Sequence, residues 1–403
     1  MQSMKRVAII GTVGVPGRYG GFETLAHQLV DHLSGEFEFK VYCSSQAYSK
    51  NERVKHFNGV RLYYLPFNAN GIQSIIYDYL SILHALFVSD IMVILGVSGC
   101  TLIPFIRLFT NKKIIVNIDG LEWKRQKWNY LAKLFLKFSE GVAVKWSHAD
   151  ITDNEAIQRY TSIQYGTLST LIEYGGNHVL KVSPTNRDAI KYPFVYEPYA
   201  FKVSRIEPEN NIHMVLEAFA GLKQMLVIVG NWNKSSYGKD LKKSFSIYRN
   251  IKMLDPIYDQ RELDVLRSNC LLYVHGHSAG GTNPSLVEAM NLSLPVLAFD
   301  CEYNRATTEN EAIYFSDSKS LKKVVNRTSL KELMEMRIVM EEIASRRYTW
   351  NTIAMKYSNL IHAFDYQYEK QNLWSNISKL EVKTLLKNGL AHLKRPTHYK
   401  EEL

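Results

Sequence analysis

Cysteine is scarce in this chain of 403 residues, which has four. They lie far apart and form no C-x-x-C pair: Cys43, Cys100, Cys270 and Cys301. This spacing argues against a zinc motif and against a disulfide framework. His275 and His277 lie two residues apart but lack a third ligand. We therefore expect a cytoplasmic protein that needs no metal.

Long hydrophobic runs are also missing. No run reaches the ~18 residues that a membrane-spanning helix needs, and Val7–Ile10 is too short for a signal peptide. Polar or charged residues interrupt the most apolar region, 72–109, at Asp78, His84, Asp90 and Arg107. That region predicts a buried helix, a strand at Ile91–Leu95 and a second helix.

The glycine-rich stretch 11–23 has neither G-x-G-x-x-G spacing nor a G-K-S/T ending. A dinucleotide fold motif and a P-loop are therefore weakly supported. Its five glycines still allow close backbone approach to a ligand. Gly20 and Gly21 stand where a helix is expected to begin, so its free N–H groups could bind an anion. The alternative is a flexible loop.

Acidic residues are fewer than basic ones, with 39 Asp and Glu against 49 Lys and Arg. The net charge is +10 and the isoelectric point is about 9.1, which favours anionic partners such as phosphorylated substrates, anionic lipid or nucleic acid. Because the chain has no clustered base-reading motif, we expect no nucleic-acid partner.

Apolar strand-like runs alternate with helical patterns along the chain, and the series restarts after a polar seam at residues 181–192. This order predicts parallel, doubly wound sheets in two α/β halves with a crevice between them. The predicted boundaries are an N-terminal domain at 1–184, a C-terminal domain at 185–366 and a basic tail at 367–403.

The segment 275–290, HGHSAGGTNPSLVEAM, follows an apolar strand and turns into a helix. Glycines open the turn, and Thr282, Asn283 and Ser285 are residue types that cap helices. Free N–H groups and the helix dipole would attract a sugar phosphate there. Glu288, one turn inside, could accept a hydrogen bond from a sugar hydroxyl. The alternative is a strand–helix junction with a solvated glutamate.

Two further strand ends carry candidate site residues. Arg205 follows a predicted strand and suits a diphosphate, although a surface ion pair with Glu207 or Glu209 is the alternative. Asp119 precedes Gly120 and could orient an acceptor hydroxyl or take its proton. It could instead cap the next helix.

Residues 123–146 form a segment rich in basic and aromatic side chains. This segment could rest on an anionic membrane surface. The alternative is a solvated helix face whose tryptophans enter the core. The basic residues concerned are Lys124, Arg125, Lys127, Lys133, Lys137 and Lys145.

Together these stretches resemble the family 4 retaining glycosyltransferases of the GT-B fold. The strings GTVGVPGRYGGFETL, NIDGLEWKRQKW, SRIEPENNIHMVLEAF and HGHSAGGTNPSLVEAM are most similar to bacterial rhamnosyltransferases of capsular and cell-wall polysaccharide synthesis. The resemblance implies two Rossmann-like domains that face a central cleft. It also implies a retained anomeric configuration.

The resemblance assigns roles to residues of this sequence. Glu288 should bind the nucleotide ribose, Arg205 the diphosphate, and Gly20 with Gly21 the phosphate and the transferred sugar. Asp119 and Glu122 are the acceptor-side candidates, and Asp119, Arg205 and Glu288 the catalytic ones. The remaining donor-binding candidates are Asp255, Pro256, Ile257 and Tyr258 around the base, and Gly281, Thr282, Asn283 and Ser285.

Three departures from the family pattern stand out. Gly280 replaces the first glutamate of E-x7-E, Asn210 replaces a lysine after the arginine motif, and Asp119 replaces a histidine. We interpret them as marks of a different donor.

The sequence thus predicts a hexosyltransferase that moves rhamnosyl from dTDP-rhamnose to a lipid-linked saccharide, without a cofactor or metal. It would work in the cytoplasm or peripherally on the inner face of the cell membrane. The alternatives are a UDP- or GDP-sugar donor, or a nucleotide-sugar epimerase of the same shape.

Overall fold

The computed structural model describes residues 4–17, 20–125, 128–366 and 368–371. The chain forms two compact units. The first contains residues up to Ile172 and those from Ile353 onward, and the second contains Glu173–Thr352.

The first unit is built on an eight-stranded sheet. Its strands are β1 (Arg6–Ile10), β2 (Glu38–Ser44), β3 (His56–Phe57), β4 (Val60–Leu65), β5 (Ile91–Leu95), β6 (Lys113–Asn117), β7 (Ala149–Thr152) and β8 (Thr170–Leu171). Their spatial order is β3-β4-β2-β1-β5-β6-β7-β8, and only β3 is antiparallel to its neighbour. The central strands are almost wholly buried because helices cover both faces of a parallel sheet.

Five helices connect these strands: α1 (Gly21–Leu33), α2 (Gln73–Val88), α3 (Ile103–Phe109), α4 (Tyr130–Trp146) and α5 (Glu155–Tyr165). Side-chain caps fix several helix starts. Asn129 accepts a hydrogen bond from the N–H of Ala132, and Asn154 accepts one from Ala156, which satisfies N–H groups that the helix itself cannot pair.

The second unit has a six-stranded, all-parallel sheet in the order β11-β10-β9-β12-β13-β14. The strands are β9 (Tyr199–Val203), β10 (Met225–Val229), β11 (Ile251–Leu254), β12 (Leu272–His275), β13 (Val296–Phe299) and β14 (Ile313–Phe315). The helices are α6 (Asn186–Lys191), α7 (Ile212–Ala220), α8 (Ser236–Phe245), α9 (Gln260–Ser268), α10 (Pro284–Asn291), α11 (Glu302–Thr307), α12 (Ser318–Arg327) and α13 (Leu330–Arg347).

The second sheet separates two hydrophobic clusters. Ala200, Ile228 and Val274 face one cluster, which contains α7 residues. Phe201 and Tyr273 face the other, which contains α9 residues. Neighbouring residues of one strand thus point to opposite faces, as the pleat requires.

The last helix, α14 (Trp350–Ala363), returns the chain to the first unit, to which residues from Ile353 belong. Tyr357 on this helix is buried, and its hydroxyl accepts a hydrogen bond from the Asn117 side chain at the end of β6 (3.0 Å). The structure therefore groups residues differently from the predicted boundary at 366, which assigned α14 to the C-terminal domain. Of the predicted tail, 367–403, only residues 368–371 lie within the described part.

No described helix is long and apolar enough to cross a membrane. None of the four cysteines forms a disulfide; three are buried and Cys301 is partly exposed.

Candidate functional site

The second sheet changes its direction of growth between β9 and β12. From β9 the chain continues outward to β10 and β11, whereas β12, β13 and β14 extend the other side. Ligands of open α/β sheets bind at the carboxyl ends of the strands at such a switch point. The two loops that leave these strand ends, residues 204–211 and 276–283, therefore define the candidate site.

The two loops are bound to each other. Asn210 donates to the Arg205 carbonyl (2.8 Å), and its side-chain oxygen lies 2.8 Å from Nδ1 of His277. Asn211 donates to the Gly276 carbonyl (2.9 Å), and the N–H of Ser278 donates to the Glu209 carbonyl (2.9 Å). Asn210, which stands where the family has a lysine, thus joins the loops.

Gly276 is needed for this close approach. A Cβ at that position would lie 2.4 Å from the Asn210 carbonyl oxygen and 3.1 Å from Nζ of Lys202. Any larger side chain would separate the two loops, because that contact is with rigid backbone.

Arg205 lies directly beyond β9, and its side chain is 37% exposed. Its Nε is 3.7 Å from a carboxylate oxygen of Glu207. This distance is an ion pair but is too long for a hydrogen bond. Of the two acidic neighbours that the sequence offers, Glu207 is therefore the one in reach, and the donors of the guanidinium are left for an anion.

Three buried polar groups around this strand end have no hydrogen-bond partner among the described residues. They are the Ser204 hydroxyl, both ring nitrogens of His275, and Oε2 of Glu207, the oxygen that lies 3.7 Å from Arg205. Lys202 is only 1% exposed. Buried polar groups are rarely left unpaired, so such a cluster indicates a site completed by a ligand or water.

Burial dominates the protonation of this cluster. It lowers the pKa of Lys202 to about 7. It also lowers the pKa of His275 well below its usual value, and the nearby Lys202 and His277 lower it further. Desolvation disfavours the charged forms of both side chains, so an approaching anion would favour protonation of Lys202.

The amino terminus of α10 is well ordered by side chains. Asn283 caps the helix by accepting from the N–H and the hydroxyl of Ser285 (3.0 and 2.8 Å). The Ser285 hydroxyl accepts from Tyr273 of β12 (2.9 Å). Thr282 is buried, and Gly280 has a positive φ of 110°. Gly281 lies between them in the same turn.

Glu288 is held by two partners. Its Oε1 lies 3.2 Å from Nε2 of His178, and its Oε2 lies 3.0 Å from Nη1 of Arg267, a buried guanidinium. Burial raises the pKa of Glu288, but the charge of Arg267 and the hydrogen bond from His178 outweigh burial and lower the pKa overall. The carboxylate is therefore ionised and fixed, and each oxygen retains capacity for one more donor.

The orientation of His178 is itself set by Trp350. The indole N–H of Trp350 donates to Nδ1 of His178 (3.0 Å). The neutral imidazole must then carry its proton on Nε2, which faces Glu288. Neither His178 nor Arg267 carries a local sequence signal, because both lie far from Glu288 along the chain.

The predicted base-binding loop follows β11, two strands away from β9. Asp255 is exposed and accepts a hydrogen bond from Lys242 (3.0 Å), while Tyr258 is also exposed. Pro256 lies between them, and Ile257 packs against the apolar cluster. The structure therefore places this loop at the same sheet edge as Arg205.

In the first unit, the glycine loop follows β1 at that sheet's own switch point, between β1 and β5. Gly20 has φ 136°, and α1 begins at Gly21. Glu23 is buried beside Gly20, and it accepts from the N–H of Val13 (2.9 Å). Burial raises the pKa of Glu23, and the Asp119 charge adds to this. A carboxylate therefore already lies at this helix start, which the sequence argument did not anticipate.

Asp119 occupies the turn beyond β6 with a left-handed φ of 61°. The Asn117 side chain accepts from its N–H (3.0 Å), so the turn is clamped by the residue that also bonds Tyr357. Asp119 thus lies at a strand end and near enough to Glu23 to repel its charge. Glu122 is held by Trp128 (2.9 Å) and Arg125 (2.8 Å).

Among the described residues, no three His, Cys, Asp or Glu side chains converge as metal ligands. The metal-free reaction remains a prediction.

Family comparison gives two matches. Residues 4–177 match a domain of unknown function, DUF1972, and residues 188–347 match the glycosyl transferases group 1. The second match lies within the second unit, where the chain is similar to the glycosyl transferases group 1. No curated protein matches the sequence significantly.

Similar solved structures share the whole architecture. Sucrose-phosphate synthase from Thermosynechococcus elongatus is 16% identical with a TM-score of 0.75, and the match covers 90% of this chain and all of that one. HepE from Anabaena, in complex with UDP, is 15% identical with a TM-score of 0.68 over 89% of this chain and all of that one. These matches confirm the predicted two-domain GT-B fold.

An epimerase has the same fold. A protein assigned as a UDP-N-acetylglucosamine 2-epimerase from Listeria monocytogenes is 12% identical with a TM-score of 0.60, over 91% of this chain and 98% of that one. The fold alone therefore does not separate a transferase from an epimerase.

We expect Lys202→Met to change how stability depends on pH. The pKa of Lys202 is about 7 in the folded state and near its ordinary 10.5 when unfolded. Between these values the unfolded chain binds more protons, so this residue makes stability rise with pH. The methionine variant should be more stable at pH 7, and its advantage should shrink toward pH 10. Urea unfolding of both proteins across that range measures the difference; an advantage that is constant with pH contradicts the assignment.

We expect Glu288→Gln to cost stability as well as function, because Arg267 would lose its nearest charge while buried. Breaking such a pair costs about 3 kcal/mol. The free energy of unfolding is the measurement. The matched control is Arg267→Met with Glu288→Gln and Asp264→Asn, because buried Asp264 lies 3.7 Å from Arg267 and would otherwise lose its cation. If this triple variant is no more stable than the single one, the ion pair is not what the single substitution breaks.

Proposed function

We propose that this protein is a glycosyltransferase that moves a hexosyl group, L-rhamnosyl from dTDP-rhamnose, to a sugar hydroxyl of a lipid-linked polysaccharide precursor. The rhamnosyl donor rests on the sequence resemblance. The class of substrate rests on the site in the second unit and on its glycosyl transferases group 1 match.

The observation that carries the proposal is the cluster at the switch point of the second sheet. Arg205 makes no hydrogen bond to Glu207, Lys202 is buried, and the Ser204 hydroxyl and both ring nitrogens of His275 have no hydrogen-bond partner among the described residues. Cationic and polar groups at a strand end suit a diphosphate. In HepE, a protein of this fold, UDP is bound.

The expected chemistry is the departure of a nucleoside diphosphate. Negative charge grows on the diphosphate as the bond to the sugar breaks, and fixed cations stabilise it more than they stabilise the intact donor. Arg205 makes the planar two-point contact, and Lys202 can add charge from within the sheet. Glu288, oriented by His178 and Arg267, would accept from a ribose hydroxyl.

On the acceptor side, Asp119 would bind the acceptor hydroxyl or take its proton. It lies at a strand end, in a turn whose backbone N–H is held by the Asn117 side chain. A carboxylate at such a place suits a general base.

The donor class can be tested by thermal shift with a panel of nucleotide sugars. We expect dTDP-rhamnose to raise the Tm most, because a ligand that binds only the folded protein stabilises it in proportion to affinity. Arg205→Ala should abolish the shift while leaving the unliganded Tm nearly unchanged, since this side chain is partly exposed. A larger shift with UDP- or GDP-sugars would move the donor assignment to those bases.

Asp119→Asn tests the acceptor role. Asparagine tolerates the left-handed backbone at this turn, so the fold should survive. Transfer of labelled sugar into a lipid-extractable product should fall roughly 10²-fold, as for loss of a general base. The affinity for dTDP should be unchanged. A collapse of dTDP affinity would instead put Asp119 at the donor site.

An epimerase is the second candidate, favoured by the epimerase of the same fold. Incubation of the protein with nucleotide sugar alone separates the two functions. Conversion to a second nucleotide sugar without an acceptor indicates an epimerase, whereas a transferase leaves the sugar unaltered.

Because the proposed acceptor is lipid-linked, the enzyme would have to act at the inner face of the cell membrane. The basic residues of 123–146 support this location. One of them, Lys127, lies outside the described residues. Lys137 and Lys145 are exposed on α4, whereas Trp123 is mostly buried and its indole donates to Glu140 (3.1 Å).

A further inference from the structure

Helix α2 has an apolar face that no described part of its unit covers. The exposed side chains repeat every three or four residues along the helix: Ile72, Ile76, Leu80, Leu83 and Phe87. Phe87 is 82% exposed. This spacing places all five on one side of a helix, and that side points away from the sheet.

The neighbouring helices continue this face. On α3 the exposed apolar side chains are Phe105, Leu108 and Phe109, and on α4 they are Tyr130, Leu131, Leu134 and Phe138. Phe109 is 81% exposed. Large contiguous apolar surfaces are uncommon on soluble proteins and mark sites of association. We call these exposed side chains of α2, α3 and α4 the apolar face.

Topology puts the three helices side by side. They follow β4, β5 and β6 and lead to β5, β6 and β7, all in the same direction across the sheet. Right-handed crossovers in one direction lie on one side of a sheet. Contacts agree: Arg107 of α3 donates to the Trp146 carbonyl of α4 (3.2 Å), and Gly99, before α3, lies against Asp78 of α2.

The charges of these helices have one sign at the surface. Arg107, Lys137 and Lys145 are exposed, whereas the two acidic residues, Asp78 and Glu140, are buried. An apolar surface that carries only positive exposed charge matches the acyl region and headgroups of an anionic bilayer.

We propose that the apolar face of α2, α3 and α4 docks on an anionic phospholipid bilayer, with Phe87 and Phe109 inserted below the headgroups. The biological purpose rests on the proposed function, because the face would keep the first unit beside a lipid-linked acceptor. The docking itself is measured without any acceptor.

Charge argues against two other occupants. The tail from 372 to 403 has six Lys and Arg against three Asp and Glu, so it has the same sign as the face. A second copy docked face to face would bring identical positive charges together. Only an anionic partner complements the surface.

Insertion of apolar side chains into the bilayer predicts a salt dependence of binding that differs from the one predicted by electrostatic attraction alone. Salt screens the attraction of lysines to headgroups, but it does not weaken the burial of apolar side chains. Binding to phosphatidylglycerol–phosphatidylcholine vesicles should therefore fall as salt rises to about 1 M and then level off above zero.

The experiment is vesicle co-sedimentation of the full chain with four proteins. Phe87→Ser with Phe109→Ser should lower the fraction bound at least tenfold at low and high salt. Lys137→Gln with Lys145→Gln should remove only the part of vesicle binding that is lost at high salt in the unaltered protein. Ile247→Ser with Ile338→Ser is the matched control, because these residues of the second unit are 76% and 71% exposed, and it should bind as the unaltered protein does.

Three results would overturn the docking proposal. They are no binding to anionic vesicles, undiminished binding of the phenylalanine variant, and a concentration-dependent dimer that this variant abolishes. Donor-induced thermal shift should be the same in all four proteins. If the donor raises the Tm of none of the four proteins while vesicle binding is as expected, the result counts against the proposed function alone.

Discussion

The parallel pairing of β9 with β12 is the constraint on which the candidate site depends. Parallel strands end at one sheet edge, so the loops that leave these two strands must meet there. Asn210 and Asn211 then form hydrogen bonds with His277 and Gly276 of the second loop, and the absence of a side chain at Gly276 permits the contact. Lys202 and His275 sit just beneath, where neither finds a counter-charge among the described residues. Backbone contacts thus set the geometry of the two loops. The buried polar side chains below them remain available to bind a ligand.

Much of the fold could be predicted from the sequence. Ile91–Leu95 is a strand with the predicted bounds, because a short apolar run between polar turns is enough to identify a buried parallel strand. The short strands β3 and β8, of two residues each, were not predicted, because two residues are too few to show an alternation of apolar and polar side chains. The return of α14 was also missed, because an amphipathic pattern does not reveal which core it joins.

The site was less accessible to sequence reasoning. Arg205 and Asp119 were predicted as site residues because each follows an apolar strand, and strand ends are local features. The burial of Lys202 inside β9 was not predicted, since one lysine in an apolar run gives no sign of its missing partner. Glu288 was taken as a solitary carboxylate, whereas it contacts His178 and Arg267. Such contacts join residues distant in the chain, and a single sequence carries no record of them.

The final helix has a consequence for biosynthesis. A ribosome makes the chain from its amino terminus, so the first eight strands emerge long before α14. Until residues 353–363 leave the ribosome, Asn117 lacks the Tyr357 hydroxyl and the first core lacks one of its covering helices. By then every strand of the second unit has been made. The first unit is therefore completed only after the strands of the second unit have been made, and a nascent chain must carry the exposed apolar surface of the first unit throughout that interval.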